Sequence, residues 1–558
     1  MAKEKWSSRT TFILASIGSA VGLGNAWRFP GLCAKHGGGA FLMAYIICML
    51  LLGIPLLMME IAIGRKAQGG APKAMRHINK KAEPVGWAAT ANAFIILTYY
   101  AVVFAWCILM CFVSFKFATS AKAPADASAL WSKEIGVTWK TSFFGDGGNI
   151  KFLVLICLGL AWALIYGCIR NGASQVGKIV KYTVFLPVIM LLILAFKGFI
   201  NNPHLGDALK ALFIPEWSSF KTAELWVAAM GQSFYSLSIM MAIMFAYGSY
   251  LKKSSNIASD TIIIAVSDLL ISVLSGIVLF TTMYSTGKTT ADMSDSGIGT
   301  AFLIYPTAIV KLTSFGSINA IFGFIFYFML CTLAIDSAFS ILEGVSLAIS
   351  DKFKTPKRKT TLIIAIIAGI ISIVYITGAG VGWLDIVDYF TNQYTLIIIG
   401  ILETIFVGWF FKTHKVLNEI NKNTNKFKMP KWWFYSSVKV IAPLSLGFLL
   451  VWQFVDLAKD GFRYNKDYNL GAEIIAGWLI VLLVFLSGFI VMLLMKHTKR
   501  GQELSEQEKN EEPWLDEKEI EKIKLNEEIS EQTEEAKIQE IETENPKTKE
   551  SEPKESSN

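Results

Sequence analysis

Residues 16–30 read SIGSAVGLGNAWRFP, and they interrupt the first apolar stretch of the chain. Gly18, Gly22 and Gly24 weaken a helix at a depth where water cannot hydrogen-bond to freed backbone groups. Irregular backbone at this depth survives where it lines a cavity or holds a ligand, because an unsatisfied peptide group in hydrocarbon is costly. The alternative for Gly18 and Gly22 is a GxxxG pair that packs two helices closely, and these residues alone leave both interpretations open.

The rest of the chain is apolar as well. Of its 558 residues, 53% are hydrophobic and 17% are charged, and the mean hydropathy is +0.47. These values predict an all-α membrane protein. Runs long enough to cross a hydrocarbon core of about 30 Å predict twelve spans, namely 11–34, 40–64, 88–115, 152–169, 178–197, 225–250, 259–284, 317–349, 361–378, 384–411, 436–457 and 473–495. Twelve spans indicate a carrier or a pore, since an anchor needs one.

Lys and Arg cluster beside alternate ends of these spans, which predicts that both termini of this multi-pass membrane protein are cytoplasmic. Topology explains the net charge of +8, so we expect no nucleic-acid partner. The first apolar run lacks a small-residue cleavage site and is predicted to be retained. The cytoplasmic tail, 501–558, holds 20 acidic residues against 8 Lys and is predicted to be disordered or a loosely helical charged extension.

A second polar interruption lies in span 6, where VAAMGQSFYSLSIMMAIMFAYGSY covers 227–250. Gln232, Ser233, Ser236 and Ser238 stand near its middle. Paired interruptions in two halves of a membrane protein indicate a transporter binding site. We therefore predict five-helix halves at 11–197 and 225–411, each opening on a discontinuous helix. Residues 1–10 precede them, and 436–495 adds helices 11 and 12.

Other site chemistries find no support in the sequence. The seven cysteines lie in or near spans and indicate no disulfide framework, and the five histidines have no partner at metal-ligand spacing. We also find no G-x-S-x-G, H-E-x-x-H or P-loop motif, so we do not expect an enzyme.

Five motifs resemble the neurotransmitter:sodium symporters, specifically their bacterial amino-acid-transporting branch. They are GLGNAWRFP (22–30), GGGAF (37–41), GIPLLMMEIAIGR (53–65), GQSFYSLS (231–238) and LAIDSAFSILEGV (333–345). The likeness extends from about residue 3 to 458. It implies an inverted 5+5 repeat, similar in fold to the bacterial leucine transporter. It also implies sodium-coupled import of an amino acid by alternating access.

The resemblance further implies two Na⁺ sites. The first uses the Ala20 carbonyl, the side chains of Asn25, Ser236 and Asp268, and the substrate carboxylate; the second uses the carbonyls of Gly18, Val21 and Leu333 and the side chains of Asp336 and Ser337. Sodium is a hard cation that prefers such oxygen ligands. In this interpretation the glycines let the helix break, the freed carbonyls bind sodium, and the half-helix N-termini face the substrate carboxylate.

By the same resemblance, the substrate lies between the two broken helices. Its predicted contacts are Ser19, Ala20, Gly22, Leu23, Gly24, Ile96, Tyr100, Tyr235, Ser236, Ser238, Met241, Ser337, Ser340 and Ile341. Gly22 stands where monoamine-transporting members carry an aspartate, which favours an amino acid over a biogenic amine. The wall offers no charge to a side chain, so we expect a neutral, hydrophobic or aromatic amino acid, although Tyr100 and Tyr235 fit the role of lids equally well.

One departure from the family pattern concerns chloride. The family usually has asparagine where Asp268 stands, and an acid within the membrane is by default a functional hypothesis. We predict that Asp268 replaces chloride, so that transport does not require the anion. Tyr45, Gln232, Ser236 and Ser272 nevertheless match a full chloride cage, which leaves chloride binding and proton counter-transport open.

The resemblance also predicts gates. Outside it pairs Arg28 with Asp388; inside it pairs Lys3 with Asp351, supported by Trp6 and Tyr250. Three further acids within spans, Glu60, Glu343 and Glu403, are expected to hydrogen-bond to neighbouring backbone. The alternative function is an amino-acid sensor that binds its ligand with Na⁺ and does not transport it. The sequence leaves the oligomeric state open.

Overall fold

The computed structural model describes residues 4–120, 124–137, 140–143, 145–200, 202–290, 297–424, 427–498, 501–502 and 514. In this part of the chain, ten continuous helices are long and apolar enough to cross a membrane. They are Gly39–Ala67, Lys80–Thr119, Phe152–Ile169, Ala173–Phe199, Ile257–Ser285, Gly316–Phe353, Lys357–Ile376, Gly380–Gly408, Lys431–Lys459 and Leu470–His497. They correspond to spans 2–5 and 7–12. The predicted gate residue Lys3 and almost all of the acidic tail lie outside the described residues.

Span 1 is a broken helix, as its glycines predict. It consists of Arg9–Ala20, Gly24–Arg28 and Phe29–Lys35. The first segment ends where Val21 turns to extended backbone, with φ −83° and ψ 97°. The middle segment is wound as a π-helix, which appears frequently at functional sites. The break therefore falls at residues 21–23, inside the membrane-embedded part of the chain.

Span 6 breaks in a different way, without glycine. Its two segments are Ala223–Ser236 and Ile243–Ser249. Between them Ser238, Met240 and Ala242 all adopt left-handed backbone, with φ of 53°, 65° and 61°. Each such residue costs roughly 1–2 kcal/mol, so surrounding contacts must hold the segment in place.

Glu60 of span 2 supplies one such contact, because its carboxylate accepts a hydrogen bond from the Met240 backbone N–H at 2.6 Å. The backbone role predicted for Glu60 is confirmed. It is wrong for Glu343, whose carboxylate binds the side chains of Tyr250 and Lys357. It is also wrong for Glu403, for which no hydrogen-bond partner is found within the described residues.

The second half of span 6 packs directly on span 2. Gly248 lies so close to the Ile61 carbonyl, and Gly64 so close to the Phe245 carbonyl, that a side chain at either glycine would overlap backbone. This contact fixes the C-terminal half of span 6 against a continuous helix. With both broken helices in place, the predicted all-α fold of twelve spans, discontinuous at the first and sixth, is confirmed.

Candidate functional site

A small buried chamber lies between the breaks of spans 1 and 6. Its wall is formed by Ser19, Ala20, Gly22, Leu23, Gly24, Asn25, Ile96, Tyr100, Tyr235, Ser236, Ser238, Met241, Ile243, Ser337 and Ile341. Of the predicted substrate contacts, only Ser340 is missing from this wall. Its hydroxyl lies 2.9 Å from that of Ser19, so Ser340 contacts a residue of the wall. The chamber contains Ile243, which the sequence analysis missed although it follows Met241 by two residues.

The chamber is nearly closed in this conformation, with a cavity volume of about 20 Å³. That volume accommodates about one water molecule. Met240 does not contribute to its wall but packs against Gly400 of span 10, where an added Cβ would come within 2.5 Å of the Met240 sulfur. Of the two adjacent methionines, Met241 alone therefore shapes the chamber.

A larger cavity of about 410 Å³ lies on the side predicted to be extracellular, and we call it the outer cavity. Tyr100 and Tyr235 line both the outer cavity and the chamber, so their rings separate the two. The hydroxyl of Tyr100 also accepts a long hydrogen bond, 3.4 Å, from the Leu23 backbone N–H at the break. This position suits lids, which is one of the two roles that the sequence left open for these tyrosines.

Asp268 lies beside the chamber with its carboxylate fully buried. The Asn25 amide donates to it at 2.7 Å, the Tyr45 hydroxyl at 2.8 Å and the Ser236 hydroxyl at 2.7 Å. Asn25 donates to Ser272 as well, at 2.8 Å. Spans 1, 2 and 6 thus direct their donors at one carboxylate of span 7, and three residues of the predicted chloride cage surround it.

The fourth predicted cage residue faces elsewhere. The Gln232 side-chain amide donates to the Gly24 carbonyl at 3.3 Å, while its own carbonyl oxygen has no hydrogen-bond partner within the described residues. Gln232 therefore supports the break in span 1 in this conformation, and Asp268 occupies the centre on which the remaining donors converge.

Asp336 is the second buried carboxylate beside the break. A Cβ on Gly18 would come within 2.7 Å of one Asp336 oxygen, so the two residues face each other directly. The other Asp336 oxygen is buried and has no hydrogen-bond partner within the described residues. Ser337 donates to the Ser19 carbonyl at 3.3 Å, while Val21 lies at the break and Leu333 lies three residues before Asp336.

The surroundings of Asp268 and Asp336 suit bound cations. In the described part of the chain, neither Asp268 nor Asp336 forms an ion pair with Lys, Arg or His, although both are buried. Buried charges without a partner are strongly destabilising. Carboxylate, hydroxyl and carbonyl oxygens surround both acids, and such oxygens are the ligands that hard cations prefer. The residues present therefore suit Na⁺ at both places.

The predicted outer gate residues, Arg28 and Asp388, both line the outer cavity. Here they face different partners: the Arg28 guanidinium lies over the Tyr235 ring at 5.0 Å, and Asp388 accepts hydrogen bonds from Tyr99 at 2.7 Å and Asn392 at 2.8 Å. The ion pair between them stays a prediction for another state of the protein. Tyr99 and Asn392 are partners that the sequence analysis missed.

The N-terminal end of span 1 is tightly packed against the second half of span 6. The Trp6 ring is buried, 5.2 Å from that of Tyr247 and 5.8 Å from that of Tyr250, and its indole N–H donates to the Tyr247 carbonyl at 3.0 Å. Asp351 accepts a hydrogen bond from the Gly70 backbone N–H at 2.8 Å. Lys357 forms an ion pair with Glu4 at 2.7 Å and also contacts Tyr250. This cluster could not be predicted from the sequence, because several basic residues follow span 8 and nothing distinguishes Lys357 among them.

Comparison with known proteins gives one consistent family. The family model described as the sodium:neurotransmitter symporter family matches residues 3–134 and 119–499. An uncharacterized sodium-dependent transporter of Methanocaldococcus jannaschii is 34% identical over 88% of this chain and 98% of its own. The sodium- and chloride-dependent neutral and basic amino acid transporter B(0+) of Homo sapiens is 26% identical over 86% of this chain and 83% of its own.

A solved structure agrees with these relatives. The crystal structure of MhsT in complex with L-phenylalanine matches 81% of this chain and 99% of its own, with a TM-score of 0.67 and 26% identity. The broken helices, the buried carboxylates and these matches lead to the same result. This chain belongs to the sodium:neurotransmitter symporter family, and it is a sodium-dependent membrane transporter rather than an enzyme.

Proposed function

We propose that this protein imports a neutral, hydrophobic or aromatic amino acid together with Na⁺ by alternating access, and that it does not require chloride. The observation that carries the proposal is the pair of buried carboxylates, Asp268 and Asp336, which lie beside the chamber without a basic partner among the described residues. Cations must compensate them, and Na⁺ is the cation that the family uses. Two ions fit the two carboxylates.

The substrate class is supported by the chamber wall. The wall carries no Lys, Arg, Asp or Glu, and Ile96, Met241, Ile243 and Ile341 supply its apolar part. At Gly22 the chamber wall has no acidic side chain that could pair with an amine, and the Ser337 hydroxyl lies close to this glycine. The relative MhsT was crystallised with L-phenylalanine. A substrate that brings its own carboxylate and an uncharged side chain fits these conditions.

Transport would follow from the two barriers around the chamber. Tyr100 and Tyr235 separate it from the outer cavity, and the packed Trp6 seals its inner end. Substrate entry requires the two rings to move, because the chamber has too little volume for an amino acid in this conformation. We place the Trp6 end in the cytoplasm from the distribution of Lys and Arg. The resemblance to the bacterial amino-acid-transporting branch supports a place in the inner membrane of a bacterial cell.

Independence from chloride is supported by the place that Asp268 occupies. Its carboxylate accepts hydrogen bonds from the hydroxyls of Tyr45 and Ser236, with oxygen–oxygen distances of 2.8 and 2.7 Å. Without the carboxylate, these hydroxyls could donate to a bound anion. A fixed negative charge beside the first Na⁺ site can neutralise a sodium charge as chloride would.

Competition against sodium-driven uptake tests the substrate class. In proteoliposomes with an inward Na⁺ gradient, labelled L-phenylalanine should accumulate, and unlabelled L-tryptophan, L-tyrosine and L-leucine should reduce its uptake. Glutamate and lysine should compete poorly because the chamber offers no counter-charge, and tyramine should compete poorly because it lacks the carboxylate.

The same vesicles separate the transporter from the sensor. A sensor would bind labelled L-phenylalanine in the presence of Na⁺ and show no uptake above equilibration. Strong competition by lysine or glutamate, with none by the neutral amino acids, would contradict the proposed substrate class while leaving the symporter itself in place.

A further inference from the structure

The start of span 11 carries a basic and aromatic surface patch that the transport site does not use. We call it the span 11 patch and define it by Lys431, Trp432, Tyr435 and Lys439, with Trp409 at the adjoining end of span 10. Lys431, Tyr435 and Lys439 follow one another at four-residue spacing, which places them on one helix face. Trp432 is 73% exposed and Trp409 is 67% exposed.

Two ammonium groups lie over a single ring in this patch. Lys431 Nζ lies 5.4 Å and Lys439 Nζ 5.1 Å from the centroid of Tyr435. Lys439 starts about 12 Å further along the helix than Lys431, at a rise of 1.5 Å per residue. Its side chain therefore runs back toward the helix N-terminus, as a lysine does when it keeps its charge at the membrane surface.

Within the described residues, the two lysines have no acidic partner. Neither forms an ion pair with a carboxylate in the described ranges, and the ring of Tyr435 is their shared neighbour. Like charges held near one ring repel each other, and an anion placed against both would remove that repulsion. The patch thus has the charge of an anion site.

The residues around the patch are apolar and exposed, as is typical of a surface that contacts lipid. Above Lys439, the side chains of Val440, Leu444 and Phe448 form an exposed apolar stripe at four-residue spacing. On the neighbouring side, the Trp433 indole N–H donates to the Leu50 carbonyl at 3.1 Å, which brings the exposed Leu50 and Leu51 of span 2 beside the same surface. Exposed indole rings are typical of the membrane–water interface.

We propose that the span 11 patch binds the phosphate of an anionic phospholipid, with Lys431 and Lys439 contacting the phosphate and the acyl chains lying along Val440, Leu444 and Phe448. The leaflet is the one that contains the N-terminal end of span 11. Free phosphate would contact the two lysines but would make no contact with the apolar stripe. A phospholipid contacts both parts of the surface, and it is therefore the occupant that we propose. The inference does not depend on which substrate is carried.

Lipid retention on the purified full-length protein tests this site. The protein is titrated with phosphatidylglycerol and, separately, with phosphatidylcholine, and bound lipid is counted by native mass spectrometry. Each basic residue near an anionic lipid contributes about a five-fold gain in affinity. The double variant Lys431→Gln, Lys439→Gln should therefore weaken phosphatidylglycerol binding by roughly 20- to 30-fold and leave phosphatidylcholine unchanged.

Two matched variants complete the design. Lys459→Gln removes a lysine that also lies over a ring, Trp452 at 5.5 Å, but at the far end of span 11 and beside Asp456, and it should leave phosphatidylglycerol binding as it was. Lys431→Arg, Lys439→Arg keeps both charges and should retain the lipid. An unchanged phosphatidylglycerol preference in the glutamine double variant would overturn the proposal. Displacement of the lipid by millimolar inorganic phosphate would overturn it too, because it would show a site for the free anion.

Discussion

Asp268→Asn should convert this protein into a chloride-dependent transporter. In chloride-free medium we expect its Na⁺-driven amino-acid uptake to fall by more than about 100-fold, since removing a buried compensating charge costs about 3 kcal/mol or more. Added chloride should restore part of the rate, because the Tyr45 and Ser236 hydroxyls no longer donate to a carboxylate and Ser272 remains beside them. The wild type should transport equally well in chloride and in gluconate.

Two variants check that any rescue comes from this site. Asp268→Asn, Ser272→Ala removes one of the surrounding hydroxyls and should respond less to chloride than Asp268→Asn alone. Asp207→Asn makes the same chemical change on an exposed helix and should leave uptake independent of chloride. A large loss of wild-type uptake in gluconate would contradict the role assigned to Asp268.

Asp336→Asn should remove most of the sodium coupling. Asp336 faces Gly18 at the break and is paired with no basic residue in the described part of the chain, so Na⁺ is the charge expected to compensate it. Replacing the carboxylate by an amide removes that attraction, and we expect the apparent Na⁺ affinity of uptake to fall by at least about 100-fold. The dependence of initial uptake rate on Na⁺ concentration measures this directly.

Ser346→Ala is the matched control, because Ser346 lies in the same helix and its buried hydroxyl has no hydrogen-bond partner within the described residues. It should leave the Na⁺ dependence unchanged. Size-exclusion chromatography of both variants separates a sodium defect from loss of fold. A well-folded Asp336→Asn protein with the Na⁺ affinity of the wild type would show that the ion is bound elsewhere.

The sequence predicted the membrane fold well because its signals are local and strong. Apolar length specifies a span, and Gly18, Gly22 and Gly24 mark the break in span 1 once the second interruption in span 6 and the family motifs exclude simple helix packing. The break in span 6 was harder to predict in detail. Ser238, Met240 and Ala242 adopt left-handed backbone although none is glycine, and contacts such as that of Glu60 with Met240 come from a distant part of the chain.

The same distinction holds at the site. Residues on the broken segments could be assigned from motifs, because a motif keeps its members in order along the chain. Some partners supplied by the unbroken helices could not be assigned, and Tyr99 beside Asp388 and Lys357 beside Glu343 belong to this group. The direction in which a side chain points also could not be predicted from the sequence. Met240 and Met241 are adjacent, yet Met240 packs on span 10 while Met241 lines the chamber.

We expect the two buried carboxylates to make amino-acid binding depend on Na⁺ and, by reciprocity, Na⁺ binding depend on the amino acid. Equilibrium binding of labelled L-phenylalanine to the purified protein, with Na⁺ replaced stepwise by choline at constant ionic strength, measures this most directly. We expect affinity to fall steeply as Na⁺ is removed and to recover when it is returned. Equal affinity for L-phenylalanine with and without Na⁺ would show that the two carboxylates do not couple amino-acid binding to sodium.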